Sequence, residues 1–380
     1  MEDYFNKSAR DFCAKHKGGW RTALMRQCRQ LWHKDGDIVS IIVLVVLMVW
    51  FLVESMGLSD HFSLLIYPKL AIRVVGFFLI SNFMIYGSYV LFFVRPERPL
   101  SYVLKRAWRL ADEVGWIRIF LLLFLFTFFF SAISSFKTLI PLIVPYHWDH
   151  TFSQLDRALH GEVDPWRWFH PYIEKYNLSM AINILYNAWF LVVFSFLFWF
   201  IFDNRRPELR KRYLLSYIFC WVLNGSFLAV LLSSAGPCFY GALYPGVQNP
   251  YEPLMAYLGS ANAGEPVWAI GTQWHLWDLY LSSKSGIGAG ISAMPSMHVS
   301  IAWLMFLLSI QIRAWLAVLF FIYALIVVIG SVHLAWHYMI DGYVSIFSTT
   351  LIWLGAGLWC RKSKKCGESS TVTTFNSIES

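Results

Sequence analysis

The sequence predicts an all-α protein, a polytopic membrane helical bundle with about eight transmembrane helices. Of its 380 residues, 57% are hydrophobic and 14% are charged, whereas soluble domains are roughly a quarter charged. Long, nearly uncharged apolar runs recur along the chain, which is typical of bilayer-crossing helices and excludes an outer-membrane barrel. Lys and Arg cluster in alternate segments between these runs. Together these observations predict an integral membrane protein.

Eight apolar runs define the predicted spans. Each is close to the length that a helix needs to cross a bilayer. The third is longer than necessary, so we expect it to tilt or to end before Pro141. In chain order the spans are Ile38–Val53, Ala71–Val94, Trp116–Ile143, Leu178–Phe202, Tyr213–Leu232, Pro295–Ile310, Trp315–Val332 and His337–Leu358.

The distribution of positive charge predicts the orientation of these spans. Segments on one side of the membrane, including residues 1–37 and 361–380, hold 23 Lys and Arg, and the alternate segments hold five. By the positive-inside rule both termini are then cytoplasmic. The first apolar run begins too late for an ordinary cleaved signal peptide, so we expect it to stay as an anchor. Because the basic residues flank spans, the net charge of +8 does not indicate nucleic-acid binding.

Two long segments are predicted on the extracytoplasmic side. Residues 144–177 combine Trp and His side chains and are expected to lie in the membrane interface, where indole rings prefer to sit. Residues 233–294 begin near Gly236-Pro237 and end near a glycine-rich run, which favours a lid or binding loop over a simple connector. The six cysteines form neither a ligand spacing nor a paired framework.

Two histidines and a carboxylate are predicted to meet at one membrane face. His298 precedes an apolar hairpin that crosses the membrane and returns, and His337 and Asp341 follow the hairpin. Because residues four apart share a helix face, Asp341 can hold one imidazole nitrogen of His337 and leave the other for attack. Pro295 suits the first turn of the helix that carries His298, where free N–H groups attract phosphate.

The motifs around these residues resemble those of the type-2 phosphatidic acid phosphatase superfamily. Residues 295–298 read Pro-Ser-Met-His and resemble its Pro-Ser-Gly-His signature, and His337-x3-Asp341 matches the core of its last signature. The resemblance implies that His337 is the nucleophile and forms a phosphohistidine. It implies that Asp341 orients and stabilises His337, and that His298 protonates the leaving oxygen.

The sequence departs from that superfamily at two signatures. Gly330 and Ser331 stand where its serine and arginine should be, and its Lys-x6-Arg-Pro signature is absent, so the usual cationic clamp for a phosphate monoester is missing. The pattern looks more like the inositol phosphorylceramide synthase (inositolphosphotransferase) branch, with which Tyr186 and Gly236-Pro237 are also consistent. A phosphodiester carries one negative charge and a monoester nearly two, so a diester donor needs less compensation.

Further residues are candidates for substrate binding. Lys137, at the outer end of the third span, and Lys284, in the long loop, are candidates to replace the missing cation, although each also fits a snorkelling or loop lysine. His333 shares the predicted helix face of His337 and is expected to support it. The remaining candidates are Ser296 and Tyr186. No metal or other cofactor is expected.

These observations predict an integral-membrane lipid phosphoryl-transfer enzyme with its active site facing the periplasm, the exterior or an organelle lumen. It is predicted to move a phosphorylated headgroup between phospholipid or sphingolipid substrates, and a lipid phosphate phosphatase of the same superfamily is the alternative. The predicted organisation is a cytoplasmic tail (1–37), two additional transmembrane helices (38–94), a catalytic six-helix domain (115–360) and a disordered cytoplasmic tail (361–380).

Two other functions fit parts of the pattern. His333, His337 and Asp341 would hold a metal if they lay along one helix face, but a helix that stays regular there is strained, and no third histidine completes the set. A lipid transporter without covalent chemistry would use the intramembrane amides, which are fewer and less ordered than the histidine cluster, and no inverted repeat is visible. These amides are Asn82, Asn183, Asn187 and Asn224.

Overall fold

The computed structural model describes residues 20–264, 267–282 and 288–376. Within these ranges the chain forms helices, turns and irregular connections without a strand, which confirms the all-α prediction. The described chain divides into two compact units. One comprises the described residues up to Leu44 together with Pro68–Thr127. The other comprises Val45–Tyr67 and the described residues from Phe128 onward.

The helices are numbered here in chain order. Pro141 lies inside α4 and does not end it, so the expectation of an early end is wrong. Two helices continue through π-helical turns, α2 into Val90–Val94 and α8 into Cys220–Leu228. The helices are α1 (Trp20–Ser55), α2 (Pro68–Tyr89), α3 (Pro99–Val114), α4 (Trp116–Ile143), α5 (Asp149–Leu159), α6 (Trp166–Lys175), α7 (Ser179–Phe202), α8 (Pro207–Phe219), α9 (Glu252–Gly264), α10 (Trp268–Leu281), α11 (Met297–Ile310), α12 (Ala314–His333) and α13 (Met339–Asn376).

Six helices in the described part of the chain are long and apolar enough to cross a membrane, which agrees with the predicted polytopic bundle. Two shorter apolar helices, Leu79–Val94 and Met297–Ile310, fall where the second and sixth spans were predicted. At about 1.5 Å per residue the 14-residue α11 is about 21 Å long, less than the ~30 Å hydrocarbon core. The six long segments are Leu31–Ser55, Ile117–Ile143, Ser179–Phe202, Pro207–Leu231, Ala314–His333 and Met339–Lys362.

In the first unit, helix α1 begins at Trp20, inside the stretch that was predicted to be a tail. Asp35 of this helix is buried and forms an ion pair with the guanidinium group of Arg118, which is also buried. A charge can be buried when it is paired and hydrogen-bonded. This pair therefore accounts for a buried charge just before the first apolar run.

In the second unit, α11 packs against both α12 and α13, and α13 also contacts α8. A polar link crosses this apolar packing, because the Asn224 side-chain amide donates to Ser300 Oγ at 3.0 Å and to Thr349 Oγ1 at 3.3 Å. The link ties the π-helical continuation of α8 to α11 and α13. These two helices carry His298 and Asp341, so the core packing fixes the backbone at both positions.

Helix α13 continues to Asn376, whereas the sequence predicted a disordered segment after residue 360. Once a helix has formed, each further residue adds one backbone hydrogen bond without a new nucleation cost. The apolar span can therefore carry the helix into the polar segment that follows it.

Candidate active site

His298 lies in the first turn of α11, as the sequence predicted. The helix begins after Ser296, whose Oγ accepts a hydrogen bond from the backbone N–H of Val299 at 3.4 Å. Serine is a preferred N-cap because its oxygen satisfies such a free N–H group. Pro295 precedes this cap, so the expectation that it opens the helix is wrong. The side chain of Ser296, a predicted substrate-binding residue, is buried and engaged in the cap.

Aromatic side chains of α7 pack around the imidazole of His298, which remains partly exposed. The Tyr186 ring stacks on it with 4.6 Å between centroids, and the Trp189 ring lies at 4.5 Å. The indole N–H of Trp189 also donates to the backbone carbonyl of His298 at 3.0 Å. Phe190 approaches edge-on at 6.0 Å. This enclosure limits the access of water to the imidazole.

His337 lies in a turn between two helices, which we call the histidine turn (residues 334–338). Helix α12 ends at His333 and α13 begins at Met339. Ala335 has a φ of 58°, and the carbonyl of Ser331 accepts hydrogen bonds from two N–H groups of the turn, a closure typical of helix C-termini. The prediction that His333 and His337 share one helix face is therefore wrong.

His337 and Asp341 nevertheless meet. Asp341 Oδ2 lies 3.3 Å from Nδ1 of His337 and accepts the backbone N–H of Tyr338 at 3.0 Å. Both side chains are buried, and His337 is 6% exposed. Because Nδ1 faces the carboxylate, Nε2 is the imidazole nitrogen available for attack.

The two imidazoles face each other across a short gap, with 6.3 Å between the ring centroids of His298 and His337. The pKa of His337 is lowered from 6.5 to about 3, mainly by burial; a hydrogen bond to the backbone of Ala293 opposes the shift, and the positive charge of Lys137 adds to it. His337 is therefore neutral near pH 7. Only a neutral imidazole has a nitrogen lone pair for nucleophilic attack.

Lys137, a predicted replacement for the missing cation, acts electrostatically on both imidazoles. Its backbone packs against Gly290, which has a φ of 88°, and a Cβ at Gly290 would lie 2.6 Å from the carbonyl carbon of Lys137. A glycine is therefore required at this contact. Within the described ranges, the ammonium group of Lys137 has no ion-pair partner. Lys284, the other predicted cation, lies outside the described residues.

Residues 150–355, more than half of the chain, match the sequence profile of the PAP2 superfamily. The chain belongs to the PAP2 superfamily. No curated protein and no solved structure matches the chain. The superfamily prediction is thereby confirmed, and the match gives no preference for the inositol phosphorylceramide synthase branch. The matched range includes His298, His337 and Asp341, whereas Lys137 lies outside it.

One departure from the PAP2 signatures has a packing reason. At Gly330, which replaces the superfamily's serine, a Cβ would lie 3.1 Å from Cδ2 of Tyr186 and 3.2 Å from Cγ2 of Ile182. A larger residue would push against the ring that stacks on His298. The hydroxyl of Tyr186 is buried and has no hydrogen-bond partner among the described residues.

His333 belongs to a neighbouring polar cluster. Its Nε2 lies 3.0 Å from Ser179 Oγ, which lies 3.0 Å from the hydroxyl of Tyr257. The ring of His170 is 6.3 Å away. In the described part of the chain, no group of three or more His, Cys, Asp or Glu side chains is placed to hold a metal ion.

Asp149, a buried carboxylate on α5, was not among the predicted site residues. It accepts hydrogen bonds from the N–H groups of Ala235 (2.9 Å) and Gly236 (2.7 Å) and from the hydroxyl of Tyr338 (2.9 Å). Burial raises the pKa of Asp149, and these backbone and hydroxyl donors oppose the shift. Asp149 therefore connects α5 to the residue that follows His337.

Asp156, seven residues further along α5, was also absent from the predicted site residues. Its carboxylate accepts the N–H groups of Met339 (2.9 Å) and Ile340 (3.1 Å), which are the first two residues of α13. Burial raises its pKa to about 6, and the hydrogen bond from Met339 opposes the shift. The seven-residue spacing from Asp149, which places both carboxylates on one helix face, is the sequence signal for this pair.

Gly236 brings the long loop against the histidine turn. Its φ is 102°, and a Cβ there would lie 2.5 Å from the carbonyl oxygen of Trp336. Two residues further along the loop, the N–H of Cys238 donates to the carbonyl of Ala335 at 2.9 Å. Any residue larger than glycine at 236 would displace the backbone next to His337.

Proposed function

We propose that the protein transfers a phosphorylated headgroup between lipids through a phosphohistidine intermediate at His337. PAP2 membership and the membrane-spanning helices support a lipid phosphatase or phosphotransferase type of function. The observation that carries the finer proposal is the buried His337, whose Nδ1 lies 3.3 Å from Asp341 and whose ring lies 6.3 Å from that of His298.

In the first step, Nε2 of His337 attacks the phosphorus of the donor lipid. An N–P bond forms while the P–O bond to the leaving alcohol breaks. His298 takes up a proton when the anionic donor binds beside it and gives this proton to the leaving oxygen. The imidazole of His337 becomes positively charged, and the adjacent carboxylate of Asp341 stabilises this charge.

In the second step, the hydroxyl of an acceptor lipid attacks the phosphohistidine. His298, now neutral, removes the hydroxyl proton as the new P–O bond forms and the N–P bond breaks. His337 returns to its neutral form and His298 to its protonated form, so the cycle closes without a cofactor.

Lys137 is proposed to compensate the charge of the phosphoryl group, because it acts on both imidazoles from α4. The aromatic enclosure of His298 by Tyr186 and Trp189 favours an alcohol over water as the acceptor. A lipid phosphate phosphatase is the second candidate, since the ammonium group of Lys137 also suits a monoester. His333 and Ser296 are proposed to support this site through the backbone rather than to contact the substrate.

The test is a direct assay of the purified protein in lipid nanodiscs, with EDTA present. Donors are phosphatidylinositol, phosphatidylcholine and phosphatidic acid, acceptors are ceramide and diacylglycerol, and products are identified by mass spectrometry. Transfer of a headgroup to an acceptor that disappears in His337→Ala supports the proposal. Free phosphate from phosphatidic acid alone supports the phosphatase. Turnover that persists in His337→Ala contradicts both.

A further inference from the structure

The two carboxylates of α5 hold the segment that carries His337 at two places. Asp149 accepts the hydroxyl of Tyr338, the residue directly after His337, at 2.9 Å. Asp156 accepts the first two N–H groups of α13, at 2.9 and 3.1 Å. These bonds join residues more than 180 positions apart in the chain.

Both carboxylates are enclosed by the chain itself. Asp149 is fully buried and Asp156 is 2% exposed, so neither faces a space that a lipid headgroup can enter. Asp149 also holds the N–H groups of Ala235 and Gly236, and Gly236 lies against the carbonyl of Trp336 on the other side of His337. The histidine turn is therefore held from both sides by one helix.

We propose that Asp149 and Asp156 are positioning residues for His337, and that α5 acts as a clamp that fixes the orientation of its imidazole. The inference rests on the proposed role of His337 as the nucleophile. The turn needs such a clamp because it is irregular, and four of its five N–H groups donate to carbonyls of α12. Without the clamp, Nε2 of His337 is free to move away from the line of attack, and a misplacement of about 1 Å costs up to about 100-fold in rate.

A matched pair of tyrosines separates positioning from simple stability. Tyr338 and Tyr251 each donate a buried hydroxyl hydrogen bond to α5, to Asp149 at 2.9 Å and to Ser153 at 3.0 Å respectively. Replacement by Phe keeps each ring and removes one hydrogen bond. Only Tyr338→Phe loosens the histidine turn, whereas Tyr251→Phe is the control for the loss of a similar bond to the same helix.

The experiment compares Tyr338→Phe, Asp156→Asn and Tyr251→Phe in nanodiscs. Turnover is measured with the donor and acceptor lipids of the panel above. In parallel, mass spectrometry follows the rate at which diethyl pyrocarbonate, which acylates neutral imidazole, modifies His337. The thermal unfolding midpoint shows whether each variant is folded. If Tyr338→Phe does not fold, Asp156→Asn still tests the effect of losing a contact between α5 and the segment that carries His337.

We expect kcat to fall by about ten- to 100-fold in Tyr338→Phe and Asp156→Asn with KM unchanged, and to stay near wild type in Tyr251→Phe. The modification of His337 should become faster in the first two variants only. The proposal would be overturned if Tyr338→Phe and Tyr251→Phe changed kcat equally. It would also be overturned if His337 were modified at the wild-type rate in both Tyr338→Phe and Asp156→Asn. The modification rate does not require turnover, so it tests the clamp even if His337→Ala proves that the proposed function is wrong.

Discussion

At the scale of single residues, the candidate site depends on the environment of two imidazoles. His337 has a carboxylate beside one nitrogen, and its pKa is lowered mainly by burial. His298 is enclosed by aromatic rings and held through its backbone carbonyl. In the proposed chemistry His337 attacks the phosphorus and His298 transfers the proton. The groups around the two imidazoles can therefore be tested separately.

Removal of the Asp341 charge should disable the site without unfolding it. Asp341→Asn leaves the volume almost unchanged but no longer stabilises a positively charged His337, so we expect kcat to fall about 1,000-fold or more. Asp164→Asn is the control, because Asp164 is also buried but pairs with Arg167 at 3.1 Å rather than with a histidine. A similar kcat for Asp341→Asn and wild type in the lipid-transfer assay would contradict the assigned role.

The lowered pKa of His337 predicts a pH dependence of stability. The folded pKa of about 3 lies below the ordinary 6.5, so the folded protein binds fewer protons, and stability present above pH 6.5 is lost as the pH falls towards 3. The loss attributable to this residue is at most about 1.4 kcal/mol per pH unit. The thermal unfolding midpoint should therefore fall less between pH 6.5 and 4 in His337→Gln than in wild type. Parallel curves would show that His337 is not the group responsible.

Lys137 should matter more for a doubly charged phosphate than for a singly charged one. We expect Lys137→Met to lower kcat/KM about 100-fold for phosphatidic acid and about tenfold for a diester donor, because the lost charge compensation scales with substrate charge. Lys175→Met, on the exposed end of α6, is the control. An equal loss for both donors would assign Lys137 a packing role only.

At the scale of elements, the irregular segments of the second unit position the chemistry. Helix α11 starts at a serine cap that puts His298 in its first turn, and α12 stops four residues before His337. The helix α5 and the loop at Gly236 then contact the histidine turn from outside. A regular helix through residues 333–341 would have paired the N–H groups of Met339 and Ile340 within the helix, and Asp156 would have lost both donors.

Gly236→Ala tests the contact between the long loop and the histidine turn. The added Cβ would lie 2.5 Å from the carbonyl oxygen of Trp336, so we expect a lower thermal unfolding midpoint and a reduced kcat. Gly246→Ala is the control, since Gly246 also has a positive φ, 85°, but has no atom within 4 Å of the added Cβ. The backbone strain alone costs about 1–2 kcal/mol. If both variants behaved alike, strain and not the contact would explain the effect.

At the scale of the whole molecule, the charge pattern and the helices make an orientation testable. From the positive-inside rule we propose that both termini lie in the cytoplasm and that α5 and the histidine turn lie on the opposite side. Thr151 on α5 and Glu208 at the start of α8 are both exposed, so their substitution by cysteine is not expected to disturb the core.

Thiol labelling in sealed, oriented membrane vesicles checks this orientation. In a background with the native cysteines replaced by serine, a membrane-impermeant maleimide added from the extracytoplasmic side should label Thr151→Cys and leave Glu208→Cys unmodified until detergent is added. The positive-inside rule is the physical reason for this expectation. Labelling of both residues from the same side would reject the proposed topology.

The sequence by itself determined the class of the protein and the residues of its candidate site. Apolar runs long enough to cross a bilayer, and the types and spacing of His298, His337 and Asp341, are local features that composition and spacing report directly. The tertiary structure alone decided that residues 334–338 form a turn, that Lys137 acts on both imidazoles, and that Asp149 and Asp156 hold the turn. Asp149 and Tyr338 are 189 residues apart, and periodicity along a chain contains no information about which distant side chains pack together. Which side chains pack together depends on the tertiary fold, because a buried carboxylate needs N–H and O–H donors and these can come from any part of the chain.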